Sequence, residues 1–420
     1  MTTLIAARSI EGSGVGAISV LTQLTLNQIN HGQGHPAHHG RIFSRSASHL
    51  FWVGMAAGPI IGGACVETVG WRHIFWIQVA CAAIGLVALP FLLRLPYVEA
   101  DPIWRQLLKV DVLGWLLLSA ALAWISIAIS LGGTEHVWSS YQILLPLILG
   151  IACLPLWCVY NRYRIEAILP VSIFNNASAA AACFGTFAQG AILAAILYLI
   201  PFFLQLQGLN ELVSGVSLAP WTFSIVAFGL LGGAIQSLAG YRWAIWTGWA
   251  FATLGVGLMI LFNDTTSAAV YAPIGLLGGV GLGMLLPSQT TAIESAASTD
   301  DETIHAATLH IYLTTLGRCF GVLGGNSIFL NKLKSDMLSN SYLSSNAPSY
   351  TEHAWSMVKV ILDLPSEQAG LRSNLIATYT SSLRPVWITA CAIAGLAFFL
   401  SFWFLEDHTP PRRPSLPELE

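Results

Sequence analysis

Eleven stretches of about twenty predominantly apolar residues follow one another along the chain, and about twenty is the length a helix needs to cross the hydrocarbon of a bilayer. They run approximately from Thr3 to Ile29, Ala47 to Val66, His73 to Leu93, Leu113 to Leu131, Gln142 to Tyr160 and Ala177 to Leu206. The others run from Val213 to Leu238, Tyr241 to Phe262, Ala268 to Ile293, Ala306 to Leu330 and Arg384 to Leu405. Only 9% of the 420 residues are charged and 55% are hydrophobic, against roughly 25% charged in a soluble domain. Too little polar surface remains to wrap a water-soluble globule. The fold class is therefore all-α, a polytopic membrane protein with about 11 transmembrane helices.

Several other classes are excluded by the same counts. A formal net charge of -3 with dispersed basic residues offers no patch that could track phosphates, so no nucleic-acid partner is expected. The seven cysteines all lie in apolar runs and form no C-x-x-C pair; they read as small packing residues. The N-terminus lacks a basic start, an apolar core and a small-residue cleavage site, so it does not read as a signal peptide.

Orientation follows from the basic residues of the short loops. With the loop after the first segment inside, alternation places ten basic residues inside, Arg41, Arg45, Arg94, Arg105, Lys109, Arg162, Arg164, Arg242, Arg412 and Arg413, and leaves only Arg72 in the short outer loops. The C-terminus is then inside and the N-terminus outside. Asn263-Asp264-Thr265 falls outside as a usable glycosylation sequon, whereas Asn176-Ala177-Ser178 falls inside. The stretch 331–383 reads as a long polar outer loop with a short helix around His353 to Leu364.

Charges within apolar segments are costly and face a cavity or a partner. Arg8 and Glu11 lie three apart on one helical face, as a proton or substrate relay or as a mutually neutralising pair. Arg318 lies inside the tenth segment, and Glu67 near the outer end of the second; snorkelling or loop anchoring is the plainer role for both. Glycines recur at four-residue spacing as Gly54, Gly58 and Gly62, as Gly275, Gly279 and Gly283, and as Gly317, Gly321 and Gly325, a spacing that lets helix backbones approach closely within one bundle. In the run Gly54-Met55-Ala56-Ala57-Gly58-Pro59-Ile60-Ile61-Gly62-Gly63, Pro59 removes a backbone donor and leaves the helix free to bend.

That run resembles the antiporter motif in the fifth helix of major facilitator superfamily drug exporters, and Trp71-Arg72-His73-Ile74-Phe75-Trp76 is similar to the start of their sixth. Leu4-x-x-x-Arg8-x-x-Glu11-Gly12-x-Gly14 resembles the fourth-helix motif, with Glu11 where the family usually has Gln. Tyr198-Leu-Ile-Pro201-Phe-Phe-Leu-Gln205 followed by Ser214-Gly215-Val-x-Leu-x-Pro220 is similar to the ninth and tenth helices. Tyr271-x-Pro273-x-Gly275 with Gly281-x-Gly283, then Arg318-x-x-Gly321, resembles the twelfth and thirteenth. The match covers nearly the whole chain in order and points to the fourteen-helix drug and proton antiporter branch, of the fungal efflux-pump kind. It leaves the family's first three helices, and the charged loop between its second and third, without a counterpart.

The resemblance implies residues 1–95 as a partial N-terminal bundle, 96–165 as two inserted linking helices, and 166–420 as a six-helix C-terminal bundle. It implies alternating access and proton-coupled efflux of a small amphipathic compound such as a drug, toxin or secondary metabolite. Arg8, Glu11, Gln205 and Arg318 stand on the proton or substrate pathway, Gly54, Gly58, Pro59, Gly62 and Gly63 on the antiporter-motif helix, and Trp221 and Phe223 are further candidates for substrate contact. The expected partners are the small-molecule substrate, protons and the lipid bilayer; the expected state is a monomer in the plasma membrane rather than the vacuolar one, with no cofactor and no enzymatic activity. The alternative is a truncated, transport-inactive membrane protein, because one bundle lacks half its helices. His35-x-x-His38-His39 copies one histidine box of membrane desaturases, but such enzymes need several boxes to fill a two-metal site, and the other histidines supply none; a weakly metal-binding or simply polar cytoplasmic loop, with His31 included, is expected rather than a catalytic metal site.

A topology prediction rests on the basic asymmetry alone. A reporter at the C-terminus should be active on the cytoplasmic face, and Asn263 should acquire glycan in a eukaryotic membrane. A C-terminal reporter active only outside would reverse the assignment.

Overall fold

The computed structural model describes residues 2–31, 37–92, 102, 104, 111–163, 176–296, 300–340, 343, 350–351 and 353–406. Among them thirteen helices appear, and no strand. In chain order these are α1 (Thr2–His31), α2 (Ala37–Thr68), α3 (Arg72–Leu92), α4 (Val112–Leu131), α5 (Tyr141–Arg162), α6 (Ala177–Leu206) and α7 (Glu211–Val216). They continue as α8 (Ala219–Ala239), α9 (Tyr241–Leu258), α10 (Ala268–Glu294), α11 (Asp300–Ser339), α12 (Met357–Leu362) and α13 (Ala369–Phe404). By length and apolarity nine of the described segments can cross a membrane, and Val53–Thr68 in α2 is a shorter apolar stretch. With α11, which carries His310 and Arg318 in its middle, these coincide with the eleven segments expected.

A helix suits this composition because lipid offers no hydrogen bonds, so each backbone N–H and C=O must be satisfied within the segment. Polar side chains follow the same rule: Ser9, Thr186 and Ser288 each donate to the carbonyl four residues back, at 3.0, 2.9 and 2.9 Å. Helix starts are capped by short acceptors. Asn176 accepts from Ser178 N at 2.9 Å, and Asp111 accepts both from Gly114 N at 2.9 Å and from the Tyr160 hydroxyl at 2.8 Å. The second bond ties the start of α4 to the end of α5.

The densest packing joins α10 to α8 and α9, α11 to α6, and α4 to α5, and α13 packs on α6, α9 and α11. Its centre holds Trp249, Trp387, Tyr379 and Phe203, all fully buried. The α4–α5 pair packs internally and leans on α11, while α2 meets α7 and α8, and α1 touches α2 and α11.

The expected polar loop over 331–383 is corrected at both ends. Helix α11 runs on to Ser339 and α13 begins at Ala369, so the connection is far shorter. The polar residues there belong to a helix that has partners beyond its apolar stretch. Asn331 donates to Gly132 O at 3.0 Å, and Lys334 donates to Gly133 O and Thr134 O at 3.1 and 3.0 Å. The extension of α11 thus clips the α4–α5 turn. The short helix expected near His353 to Leu364 is α12.

Three contacts gather the expected outer elements at one end of the molecule: Asn210 with Glu67, Gln207 with Asn263, and Lys359 with Glu211. At the opposite end Tyr241 donates to Glu406 O, whose own N–H reaches Ser178 Oγ at 3.3 Å. Asn263 itself is exposed, with its Oδ1 accepting from Thr265 N at 3.1 Å.

Two of the three glycine stripes are seams. A side chain on Gly275, Gly279 or Gly283 would run into Trp221, Ser224 or the Ile225 carbonyl of α8, and one on Gly317 or Gly321 into the backbone of Phe187 or Ala191 of α6. Gly324, three residues from Gly321, faces open space. Gly321→Ala should therefore destabilise the purified protein by about 1–3 kcal/mol, the usual cost of overpacking, whereas Gly324→Ala should be neutral; detergent-solubilised thermal unfolding midpoints compare the two.

Candidate functional site

The end of α2 and the start of α7 form a clasp. Helix α7 starts where Asn210 Oδ1 accepts from Val213 N at 2.9 Å, an ordinary N-cap. The Glu67 carboxylate, from the last turn of α2, accepts from Asn210 Nδ2 at 2.9 Å and from Leu212 N at 3.0 Å. A carboxylate beside free N–H groups at a helix start is favoured by hydrogen bonding and by the local dipole together. Below it the two backbones interlock: a side chain on Gly63 would collide with the Glu211 carbonyl, and one on Gly215 with the Pro59 carbonyl. Both collisions involve main chain, so neither is relieved by a rotamer change.

Here the expected use of the glycine run is corrected. Added side chains at Gly54, Gly58 and Gly62 would meet nothing within 4 Å among the described residues; they are not the stripe packed on α7. Contact lies on the neighbouring register through Pro59 and Gly63. Glu211 also pairs with Lys359 of α12 at 2.8 Å, and that hydrogen bond holds the Lys359 ammonium above the usual lysine range. Lys359 is 78% exposed, so the pair adds little energy.

A partly open cavity of about 340 Å³ is lined by Met55 of α2, by Leu193, Ala194, Leu197 and Tyr198 of α6, and by Arg318 of α11. At about 1.5 Å per residue, Met55 sits roughly 6 Å below Pro59 and 12 Å below Gly63 along α2. The α6–α11 seam at Gly317 and Gly321 fixes Arg318 against α6. The walls are otherwise apolar apart from Tyr198, whose ring leans on Trp355 from the outer connection at 5.0 Å between centroids. Trp355 also packs on Phe202 at 4.4 Å and donates to Asn326 Oδ1 at 3.1 Å.

Of the four pathway residues expected, Arg318 alone lines this cavity. Arg8 and Glu11 do meet, at 2.8 Å, with the Arg8 guanidinium 4.7 Å from the Phe75 ring; both side chains are substantially exposed and neither is in the cavity wall. Gln205 is half-buried near the end of α6. Trp221 is 2% exposed against Gly275 and Gly278, a core residue, whereas Phe223 is exposed. His35 lies outside the described residues, as do the side chains of His31, His38 and His39.

A polar seam inside the α6, α9 and α10 packing was not anticipated. Gln189 donates to Leu282 O at 2.8 Å. Gln289, 1% exposed, lies where Gly185 leaves room, beside Trp249. Thr186 approaches His310 Nδ1 at 3.4 Å. A glutamine within an apolar span carries a desolvation cost, and that oddity in Gln189, midway along α6, and in Gln289, in the last two turns of α10, is the signal that could have located the seam.

Comparison with known proteins adds the relationship. The chain is 33% identical over 411 residues to "MFS transporter L2" of Phoma sp., covering 96% of this chain and 67% of that protein. It is 29% identical over 408 residues to "MFS efflux transporter aclA" of Aspergillus oryzae, covering 94% and 71%. It is also 27% identical over 419 residues to "MFS-type efflux transporter ffsH" of Aspergillus flavipes, covering 97% and 72%. The family model described as Major Facilitator Superfamily matches residues 1–322. With apolar helices able to cross a bilayer, two of them bridged by a glycine-proline clasp, and with a largely apolar cavity, the chain belongs to the Major Facilitator Superfamily.

Proposed function

We propose that this protein exports small amphipathic organic molecules by proton-coupled alternating access, as a member of the fourteen-helix drug and proton antiporter branch. The observation that carries the reading is a largely apolar cavity between α2, α6 and α11 that holds one arginine and is lined in part by the same α2 helix that interlocks with α7. Efflux is the printed role of the Aspergillus oryzae and Aspergillus flavipes relatives, and the order of motifs from Arg8 to Gly321 supports the branch.

In this reading the clasped molecule is closed to the outside. Export requires α2 and α7 to part, releasing the Pro59 and Glu211 carbonyls from Gly215 and Gly63 and breaking the Glu67 cap. Residues 1–95 then move against 166–420, with 96–165 as a linking pair. Glu11 is the proton carrier: as a carboxylate it holds Arg8, and its protonation removes the charge that fixes the guanidinium, so the pair couples a proton to a local rearrangement. Arg318 and Tyr198 belong to the substrate path. The protein acts as a monomer in the plasma membrane, with the C-terminus inside and Asn263 outside, and does not perform catalysis.

A second reading has an observation of its own. Side chains added at Gly12, Gly14 or Gly16 of α1 would meet nothing within 4 Å, and the apolar residues Ile5, Ile10 and Ile18 are exposed. If α1 needs the family's first three helices to cover this face, the 420 residues alone are transport-inactive.

Reconstituted vesicles with an imposed pH gradient test both. Export of a fluorescent amphiphile that collapses with a protonophore supports the exporter. Transport appearing only when three upstream spans are added to the chain supports the second reading for the 420-residue form. No gradient-dependent transport in either form would overturn the exporter reading.

The clasp makes a sharper demand. In whichever form transports, Gly63→Ala and Gly215→Ala should lose at least four fifths of coupled efflux at equal membrane abundance, because each added carbon meets main chain. Gly58→Ala should retain it. Equal activity in all three variants would reduce the clasp to incidental packing.

A further inference from the structure

We propose that Arg318 recognises an anion, and that the cavity takes amphipathic organic acids, molecules carrying a carboxylate or an acidic enol on an apolar body. The inference rests on the export reading for the use of the cavity, and on geometry for its chemistry.

Arg318 is midway along its span, twelve residues from Ala306 and twelve from Leu330. At about 1.5 Å per residue that is roughly 18 Å from either end, well beyond the reach of an arginine side chain, so snorkelling to a headgroup layer is not open to it. It lines the cavity with four aliphatic residues and Tyr198, and no hydrogen bond or ion pair joins it to another described residue. The titratable group that feels its field is His310 on the same helix, which brings no negative charge. A guanidinium held in such surroundings costs free energy unless something anionic joins it.

Guanidinium suits one kind of ligand above others. Its planar fork matches the two oxygens of a carboxylate, and such a bidentate bond strengthens where water is scarce. The rest of the wall recognises nothing but apolar surface, so the complement is a molecule with one acidic end. A volume of about 340 Å³ is at the small end of ligand pockets. The seam that presses α11 on α6 also restricts the arginine to this wall, which pre-organises it.

The experiment uses the 420-residue chain in phosphatidylcholine nanodiscs. Binding of 11-(dansylamino)undecanoic acid and of its methyl ester is read by energy transfer from tryptophan. The acid should bind at least tenfold more tightly than the ester. Arg318→Gln should lower acid affinity at least tenfold and leave the ester unchanged, which also reports that the cavity is folded. Arg318→Lys should keep a smaller preference for the acid, since the charge remains and the fork is lost. Equal affinities for acid and ester, or an unaltered preference in Arg318→Gln, would overturn the proposal. Repeating the measurement with phosphatidylserine in the discs separates the two sources of an anion: unchanged acid binding supports a soluble acid, whereas displacement by the lipid would overturn that assignment in favour of a headgroup. None of these readouts needs a proton gradient, so failure of coupled efflux with acid preference intact would remove the export reading and leave the binding site standing.

Discussion

Contact between main chains is the interaction on which this architecture depends. Lipid tails are as apolar as leucine, so helices gain nothing by exchanging lipid for one another's side chains; they gain when backbones come near enough for dense van der Waals contact. The α8–α10 and α6–α11 seams use it over several turns and hold fixed partners. The α2–α7 clasp uses it over six residues of α7 and only two points of collision. The same interaction thus supplies a permanent joint and, where the area is small, a separable one.

Charge plays a different part at each depth. Near the outer end, Glu67 and the Glu211–Lys359 pair lie in contact with water, where such bonds contribute little free energy but specify how α7 sits on α2. Arg8 and Glu11 neutralise each other on the exposed flank of α1. Arg318 stands in the cavity wall among aliphatic residues and pairs with no carboxylate among the described residues. Its position gives the cavity wall a positive charge, while the Glu67 carboxylate holds the start of α7 on α2.

Much of this was legible in the residues. Eleven apolar runs gave the spans because desolvating a backbone leaves few alternatives to a helix, and the stripes through Gly275 and Gly317 gave true seams because neighbouring small residues leave a face that only close approach can fill. The stripe through Gly54, Gly58 and Gly62 misled for a physical reason: spacing says which face of a helix is small, not what stands opposite it. Contact is made instead at Gly63 and at the Pro59 carbonyl, which face the Glu211 carbonyl and Gly215 of α7. The extension of α11 past Leu330 was hidden by its polarity, since Asn331 and Lys334 look like loop residues until the Gly132–Thr134 carbonyls are placed beside them. Trp221 looked like a binding aromatic but fills the notches left by Gly275 and Gly278. The cavity wall was least legible, as Met55, Leu193 and Leu197 are indistinguishable in sequence from residues that face lipid.

The clasp has a consequence for how such proteins diversify. Its closing surfaces are largely carbonyls, which every amino acid carries, together with two positions that must stay bare. Substitutions that spare Gly63, Gly215 and Glu67 leave these contacts in place, and most of the cavity wall, made of side chains from α6 and α11 with Met55 of α2, lies apart from them. A single codon change at Arg318 would alter the charge of the cavity wall while leaving the backbone contacts of Gly63 and Gly215 untouched.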